Sequence, residues 1–73
     1  MTGYIVFAHG SNVASANDAV RDVAGKLAQR MPGKPIETAF LEFAEPTLYQ
    51  AAEALAKNGV SRAVVVPYFL ELA

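Results

Sequence analysis

The feature that most constrains the fold is the alternation of strand-like apolar runs with segments of helical periodicity. Residues 4–8 ("YIVFA") form a short continuous apolar run, which is typical of a strand covered on both faces. The segment 61–69 ("SRAVVVPYF") contains three consecutive valines, which favour strands over helices. We therefore predict a central strand over 4–8 and another strand over 61–69, with its hydrogen-bond ladder ending at Pro67 because proline has no N–H to donate.

A helix and a further strand are predicted between these two runs. Over residues 13–31 the apolar side chains recur three or four positions apart and trace one stripe of a helix. Ser15 and Asp18 have the spacing of a first-turn cap for this helix. The extended, partly alternating pattern of residues 36–41 predicts a second strand, which is less completely apolar and is therefore placed at the sheet edge.

A second helix is predicted over residues 45–58, with Pro46 at its first helical position. The complete order is then β-α-β-α-β. Because such short connections between strands require parallel pairing and right-handed crossovers, the sequence predicts an α/β fold with a parallel sheet in three layers.

Composition excludes several classes of function. The 73 residues are enough for one small domain, and 53% of them are hydrophobic, which indicates a buried core or interface. The net charge is −1 with scattered basic residues, so no nucleic-acid partner is expected. Cysteine is absent, which removes disulfides and thiolate metal sites. No export signal or membrane-spanning run is found, and we predict a cytoplasmic protein without a membrane partner.

Candidate functional side chains follow each predicted strand. His9 comes directly after the first strand, Glu42 after the second, and Tyr68 and Phe69 after the third. Because the carboxyl ends of parallel strands meet at one edge of the sheet, these side chains are expected to face a common crevice. An imidazole and a carboxylate together can bind a divalent first-row metal weakly, or act as an acid and base on a bound ligand.

Simpler interpretations of the same residues remain open at this stage. His9 is equally explained by a hydrogen bond to a loop carbonyl, Glu42 by solvation in a loop, and Tyr68 and Phe69 by ordinary packing. Residues 10–12, at the turn from strand to helix, could instead form a small anion-binding cradle of backbone N–H groups. The sequence lacks the lysine and repeated glycines of a phosphate-binding loop there.

Three segments in order, "VFAHGS", "AFLEFAEPTL" and "VVVPYFL", resemble the small sirohydrochlorin cobaltochelatases and ferrochelatases, short relatives of the class II tetrapyrrole chelatases. The resemblance covers essentially the whole chain. It implies about half or more of a chelatase-like, flavodoxin-like domain. The implied activity is insertion of Co²⁺ or Fe²⁺, or else Ni²⁺, into sirohydrochlorin for cobalamin or sirohaem synthesis, without an organic cofactor.

The resemblance also implies roles for particular residues. His9 and Glu42 match the histidine and glutamate of the family's motifs, and are expected to bind the metal and to act in catalysis. The remaining matched positions are expected to contact the tetrapyrrole substrate. These positions are Gly10, Ser11, Pro67, Tyr68, Phe69 and Leu70.

The resemblance implies that members of this family continue beyond the third strand into a glycine-containing loop and a second active-site histidine, followed by another helix and strand. Residues 1–73 are therefore expected to form a single partial chelatase-like domain. If the third strand lies beside the first, its outer edge near residues 64–66 should be unpaired. We expect that edge to pair in a homodimer or to cause aggregation. A noncatalytic, self-associating α/β module or fragment is the alternative function.

Overall fold

The chain forms a three-stranded parallel sheet between two helices. The computed structural model describes residues 1–69, which contain strands β1 (Thr2–Ala8), β2 (Ile36–Phe40) and β3 (Arg62–Pro67) and helices α1 (Ala14–Arg30) and α2 (Leu48–Lys57). The strand order is β2-β1-β3, with both pairs parallel. This confirms the predicted β-α-β-α-β order. Neither helix of the described range is long and apolar enough to span a membrane.

The two helices cover opposite faces of the sheet. Neighbouring residues of a strand point to opposite faces, and β1 accordingly contributes Val6 to one buried cluster and Ile5 to the other. The α1 cluster contains Val6, Ala8, Val20, Ala24 and Phe40, and the α2 cluster contains Ile5, Ala39, Ala51 and Leu55. The predictions of three layers, a central first strand and an edge position for the second are therefore confirmed.

Strand β3 is much less covered than its neighbours. It pairs with β1 on one side, and all six of its residues, including the three valines at 64–66, are exposed. Both helices pack mainly against β1 and β2. Within residues 1–69 the outer edge of β3 is therefore unpaired, as the sequence predicted. Strand β3 ends at Pro67, although the Tyr68 N–H still donates to the Phe7 carbonyl at 2.7 Å.

The start of α2 differs from the prediction. Pro46 precedes the helix instead of occupying its first position, because Thr47 is the N-cap and forms a reciprocal capping box with Gln50. The Pro46 carbonyl accepts a hydrogen bond from the Phe40 N–H at 2.8 Å. Pro46 thus connects the loop back to β2, and the helix begins at Leu48.

The predicted cap of α1 is wrong. The helix begins at Ala14 with Val13 as N-cap, and no side chain makes a capping hydrogen bond there. Asp18 instead forms an ion pair with Arg21 on the next turn, at 3.0 Å. Arg21 also donates to the Glu45 carbonyl at 3.2 Å, which links α1 to the loop between β2 and α2.

Candidate functional site

The carboxyl ends of β1 and β2 bring His9 and Glu42 together. Backbone hydrogen bonding continues past both strands, with the Leu41 N–H donating to the Ala8 carbonyl at 3.0 Å and the Glu42 N–H donating to the His9 carbonyl at 2.9 Å. The His9 Nε2 lies 3.7 Å from the Glu42 Oε2, and the two side chains are 57% and 56% exposed. An imidazole and a carboxylate therefore face each other in an opening that solvent reaches.

The loop after β1 offers a hydrogen-bond acceptor to one ring nitrogen of His9. The Nδ1 lies 3.2 Å from the Gly10 carbonyl oxygen. Because a carbonyl can only accept, this contact is a hydrogen bond in the tautomer with the proton on Nδ1, and in that tautomer the neutral ring carries a lone pair on Nε2. That lone pair faces a carboxylate oxygen of Glu42. The two acceptors repel each other, and a metal ion or a proton between them would relieve the repulsion.

The His9–Glu42 pair is suited to weak metal coordination. Metal–ligand bonds of about 2.0–2.2 Å place neighbouring ligand atoms roughly 3–3.5 Å apart, and the observed 3.7 Å separation differs by a few tenths of an ångström. Side chains that are more than half exposed can make this adjustment. The part of the chain that the structure describes contains no group of three or more metal-ligating side chains. A site with two protein ligands is suited to a metal ion that is passed on to a substrate, and not to one that is held tightly.

Gly10 allows the backbones that carry His9 and Glu42 to approach closely. Its φ is +90°, a conformation that residues with a Cβ rarely adopt. A Cβ built at this position would overlap the Glu42 carbonyl oxygen and lie 3.4 Å from the Phe40 Cβ. The glycine of the predicted motif is thus required here by backbone conformation and by space.

A cavity of about 390 Å³ lies beside this pair. Of the predicted substrate contacts, Gly10, Ser11, Tyr68 and Phe69 line it. Pro67 and Glu42 are not among its lining residues, and Leu70 lies outside the described residues. The complete lining consists of Ala8, His9, Gly10, Ser11, Ala16, Asn17, Val20, Tyr68 and Phe69.

The residues that α1 contributes to the cavity were not predicted. They are Ala16, Asn17 and Val20. The sequence does contain a signal for Asn17. This residue lies four positions after Val13 and three before Val20, so a polar amide occupies a position of the apolar stripe. The stripe was interpreted as core alone, and in the structure its first turns also face the cavity.

The geometry does not favour the anion-binding cradle at residues 10–12. The Ser11 N–H donates to the Asn17 side-chain oxygen at 2.9 Å. The Val13 N–H donates to the Ser11 hydroxyl oxygen at 3.0 Å. Two N–H groups at the helix start are therefore already used within the loop and its helix.

Known proteins similar to this chain are sirohydrochlorin chelatases. The sirohydrochlorin cobaltochelatase of Methanopyrus kandleri is 31% identical over 70 residues, which covers 96% of this chain and 49% of the relative. That of Methanosarcina acetivorans is 32% identical over 68 residues, covering 93% and 52%. That of Sulfurisphaera tokodaii is 36% identical over 67 residues, covering 92% and 54%.

The chain thus spans about half the length of the curated relatives it matches. The similarity confirms the resemblance inferred from the three sequence motifs. The family model named CbiX matches residues 3–73, nearly the entire chain. By this match, the chain belongs to the CbiX family.

Proposed function

We propose that this chain is part of a sirohydrochlorin chelatase that inserts Co²⁺ into sirohydrochlorin, with His9 and Glu42 as metal ligands and proton acceptors. The observation that carries the proposal is the position of the His9 Nε2, which faces the Glu42 carboxylate at 3.7 Å in a solvent-accessible opening. The relatives named sirohydrochlorin cobaltochelatase support the choice of substrate. They are about twice as long, so the proposal assigns this chain to one part of such an enzyme.

The proposed residues suit the chemistry of metal insertion. A tetrapyrrole must lose two pyrrole protons as the ion enters. A neutral imidazole and a carboxylate can accept protons, and can also coordinate the incoming ion. Weak coordination is an advantage, because a site that bound the free metal tightly would stabilise the starting state as much as the transition state.

The substrate is proposed to lie across the cavity and the adjoining opening. Gly10 and Ser11 would contact it from the end of β1, and residues 67–70 from the end of β3. The cavity of about 390 Å³ is near the lower end of the size range of small-molecule pockets, about 300–1,000 Å³. The macrocycle would therefore extend beyond the cavity towards the exposed His9 and Glu42.

Imidazole and carboxylate ligands also accept Fe²⁺ and Ni²⁺, which we propose as alternative metal substrates. No organic cofactor is proposed. The protein is proposed to act in the cytoplasm on a small-molecule tetrapyrrole, without a nucleic-acid or membrane partner. The noncatalytic alternative has no support from relatives that are all named as chelatases.

Anaerobic assay of Co²⁺ insertion into sirohydrochlorin tests the proposal. We expect a rate above the uncatalysed background, and a loss of at least tenfold in His9→Ala and Glu42→Gln, which is about 1.4 kcal/mol in activation free energy. Glu53→Gln removes a carboxylate from the exposed surface of α2 and is the matched control, with an unchanged rate. A rate equal to background in the wild-type chain, together with Co²⁺ binding that does not depend on His9, would defeat the assignment.

We also propose that residues 1–73 act as a single partial chelatase-like domain that forms a homodimer through β3. The exposed valines of β3, and its outer edge, which no other strand of residues 1–69 pairs with, support this pairing. Light scattering of the purified chain should give twice its mass of 7.8 kDa. Val65→Lys adds a charge to β3 and should shift the protein to a monomer with an unchanged circular-dichroism spectrum. A stable, folded wild-type monomer at micromolar concentration would contradict this proposal.

A further inference from the structure

Asn17 is the one buried polar residue among residues 1–69, with 6% of its surface exposed. It occupies the apolar side of α1, where the neighbouring cavity and core positions are Ala16 and Val20. A buried amide is unfavourable unless its donor and its acceptor are both hydrogen-bonded. An amide at this position therefore requires partners, and the partners define what the residue does.

Both hydrogen bonds of Asn17 are made to one residue of the loop that follows β1. Its Oδ1 accepts from the Ser11 N–H at 2.9 Å, and its Nδ2 donates to the Ser11 carbonyl at 2.7 Å. Of the possible replacements, alanine would remove both bonds, and aspartate would keep the acceptor and lose the donor. The two-point contact fixes the position and the orientation of the Ser11 backbone relative to α1.

One peptide unit connects Asn17 to His9. The Ser11 N–H and the Gly10 carbonyl belong to the same planar peptide unit. Its N–H donates to the Asn17 Oδ1 at 2.9 Å, and its carbonyl oxygen lies 3.2 Å from the His9 Nδ1, where it accepts a hydrogen bond when that nitrogen carries the proton. Hydrogen bonds arranged in series polarise and strengthen one another. The orientation of the imidazole therefore depends on a peptide whose plane Asn17 fixes.

We propose that Asn17 is a positioning residue that acts through the Gly10–Ser11 peptide unit to orient His9 and to keep its proton on Nδ1, which leaves Nε2 free. The use of Nε2 for metal binding or proton transfer rests on the proposed chelatase function. The location of the ring proton does not, and it can be measured without metal or substrate.

Nitrogen-15 NMR of the imidazole tests this proposal directly. His9 is the only histidine of the chain, so a single pair of ring nitrogen signals reports its tautomer. At a pH where the ring is neutral, we expect the Nδ1–H form to predominate in the wild-type protein. In Asn17→Ala the Nε2–H form should become the major one, while amide signals of β2 and α2 remain in place.

Two further variants test which hydrogen bond of Asn17 controls the tautomer and whether the effect is specific to this asparagine. Asn17→Asp keeps the acceptor for the Ser11 N–H and should retain the Nδ1–H form. Asn58→Ala removes an exposed asparagine at the end of α2, whose side chain donates to the Ala54 carbonyl at 3.0 Å, and should leave the ring signals unchanged. By titration calorimetry, Asn17→Ala should weaken His9-dependent Co²⁺ binding about tenfold, as expected when the support of a metal ligand is removed.

Three results would overturn the proposal. These are a wild-type protein in the Nε2–H form, a folded Asn17→Ala variant with wild-type ring signals, and an Asn17→Asp variant that switches to Nε2–H. If Asn17→Ala does not fold, a wild-type protein in the Nε2–H form or an Asn17→Asp variant that switches to it would still overturn the proposal. A background rate of Co²⁺ insertion together with Co²⁺ binding that does not depend on His9 would reject the chelatase function alone if the tautomers are as expected. Co²⁺ insertion above background with an unexpected tautomer would reject the role of Asn17 alone.

Discussion

Replacing Gly10 with alanine should destabilise the protein by about 3 kcal/mol or more, and should separate His9 from Glu42. The new Cβ would overlap the Glu42 carbonyl oxygen, so the loop after β2 would have to move. The φ of +90° adds strain of about 1–3 kcal/mol for a residue other than glycine. A chain of this length has roughly 4–11 kcal/mol of total stability, so urea unfolding followed by circular dichroism should show a large shift.

Gly59→Ala is the matched control for this experiment. Gly59 has a φ of +84°, close to that of Gly10, but an added Cβ would have nothing within 4 Å. This variant therefore carries the conformational cost alone, about 1–3 kcal/mol. Equal losses in the two variants would show that the close approach to Glu42 contributes nothing to the stability of the site.

Phe40→Ala should cost about 3–5 kcal/mol, the usual loss for a large buried aromatic side chain. Phe40 is 1% exposed, packs in the α1 cluster, and has the Arg21 guanidinium 5.1 Å from its ring centroid. It is the last residue of β2 and lies two positions before Glu42. Its loss leaves a cavity directly beneath the loop that carries the proposed carboxylate ligand, which urea unfolding would report as lowered stability.

Phe43→Ala provides the comparison for Phe40→Ala. Phe43 has the same side chain three residues later, with 66% of its surface exposed. Exposed positions usually change stability by no more than about 0.5 kcal/mol. A loss for Phe43→Ala as large as that for Phe40→Ala would contradict the assignment of the core.

The sequence predicted correctly the strands and helices whose apolar pattern extends through most of the element. The continuous apolar run at 4–8 indicated a strand with two covered faces, and the structure places β1 between β2 and β3. The proximity of His9 and Glu42 followed from parallel topology alone, because strands that run the same way end at the same rim. Their roles in metal binding and catalysis stay predictions.

The wrong predictions concern helix starts, where hydrogen-bond and ion-pair partners outside the sequence motif decide the outcome. Pro46 is acceptable at a helix start, but its carbonyl bonds to the Phe40 N–H, and Thr47 caps the helix instead. Asp18 has the spacing of a cap residue, but it pairs with Arg21. Asn17 was not identified because an isolated amide in an apolar stripe does not show which backbone group it will bind.

Helix α1 holds both loops of the candidate site with side chains one turn apart. Asn17 is bonded to the loop that carries His9, and Arg21 to the carbonyl of Glu45 in the loop that carries Glu42. A small translation or tilt of this helix would therefore carry the imidazole and the carboxylate in the same direction. Such a movement would leave the distance between the two groups nearly unchanged. It would change their distance from the aromatic side chains that follow β3.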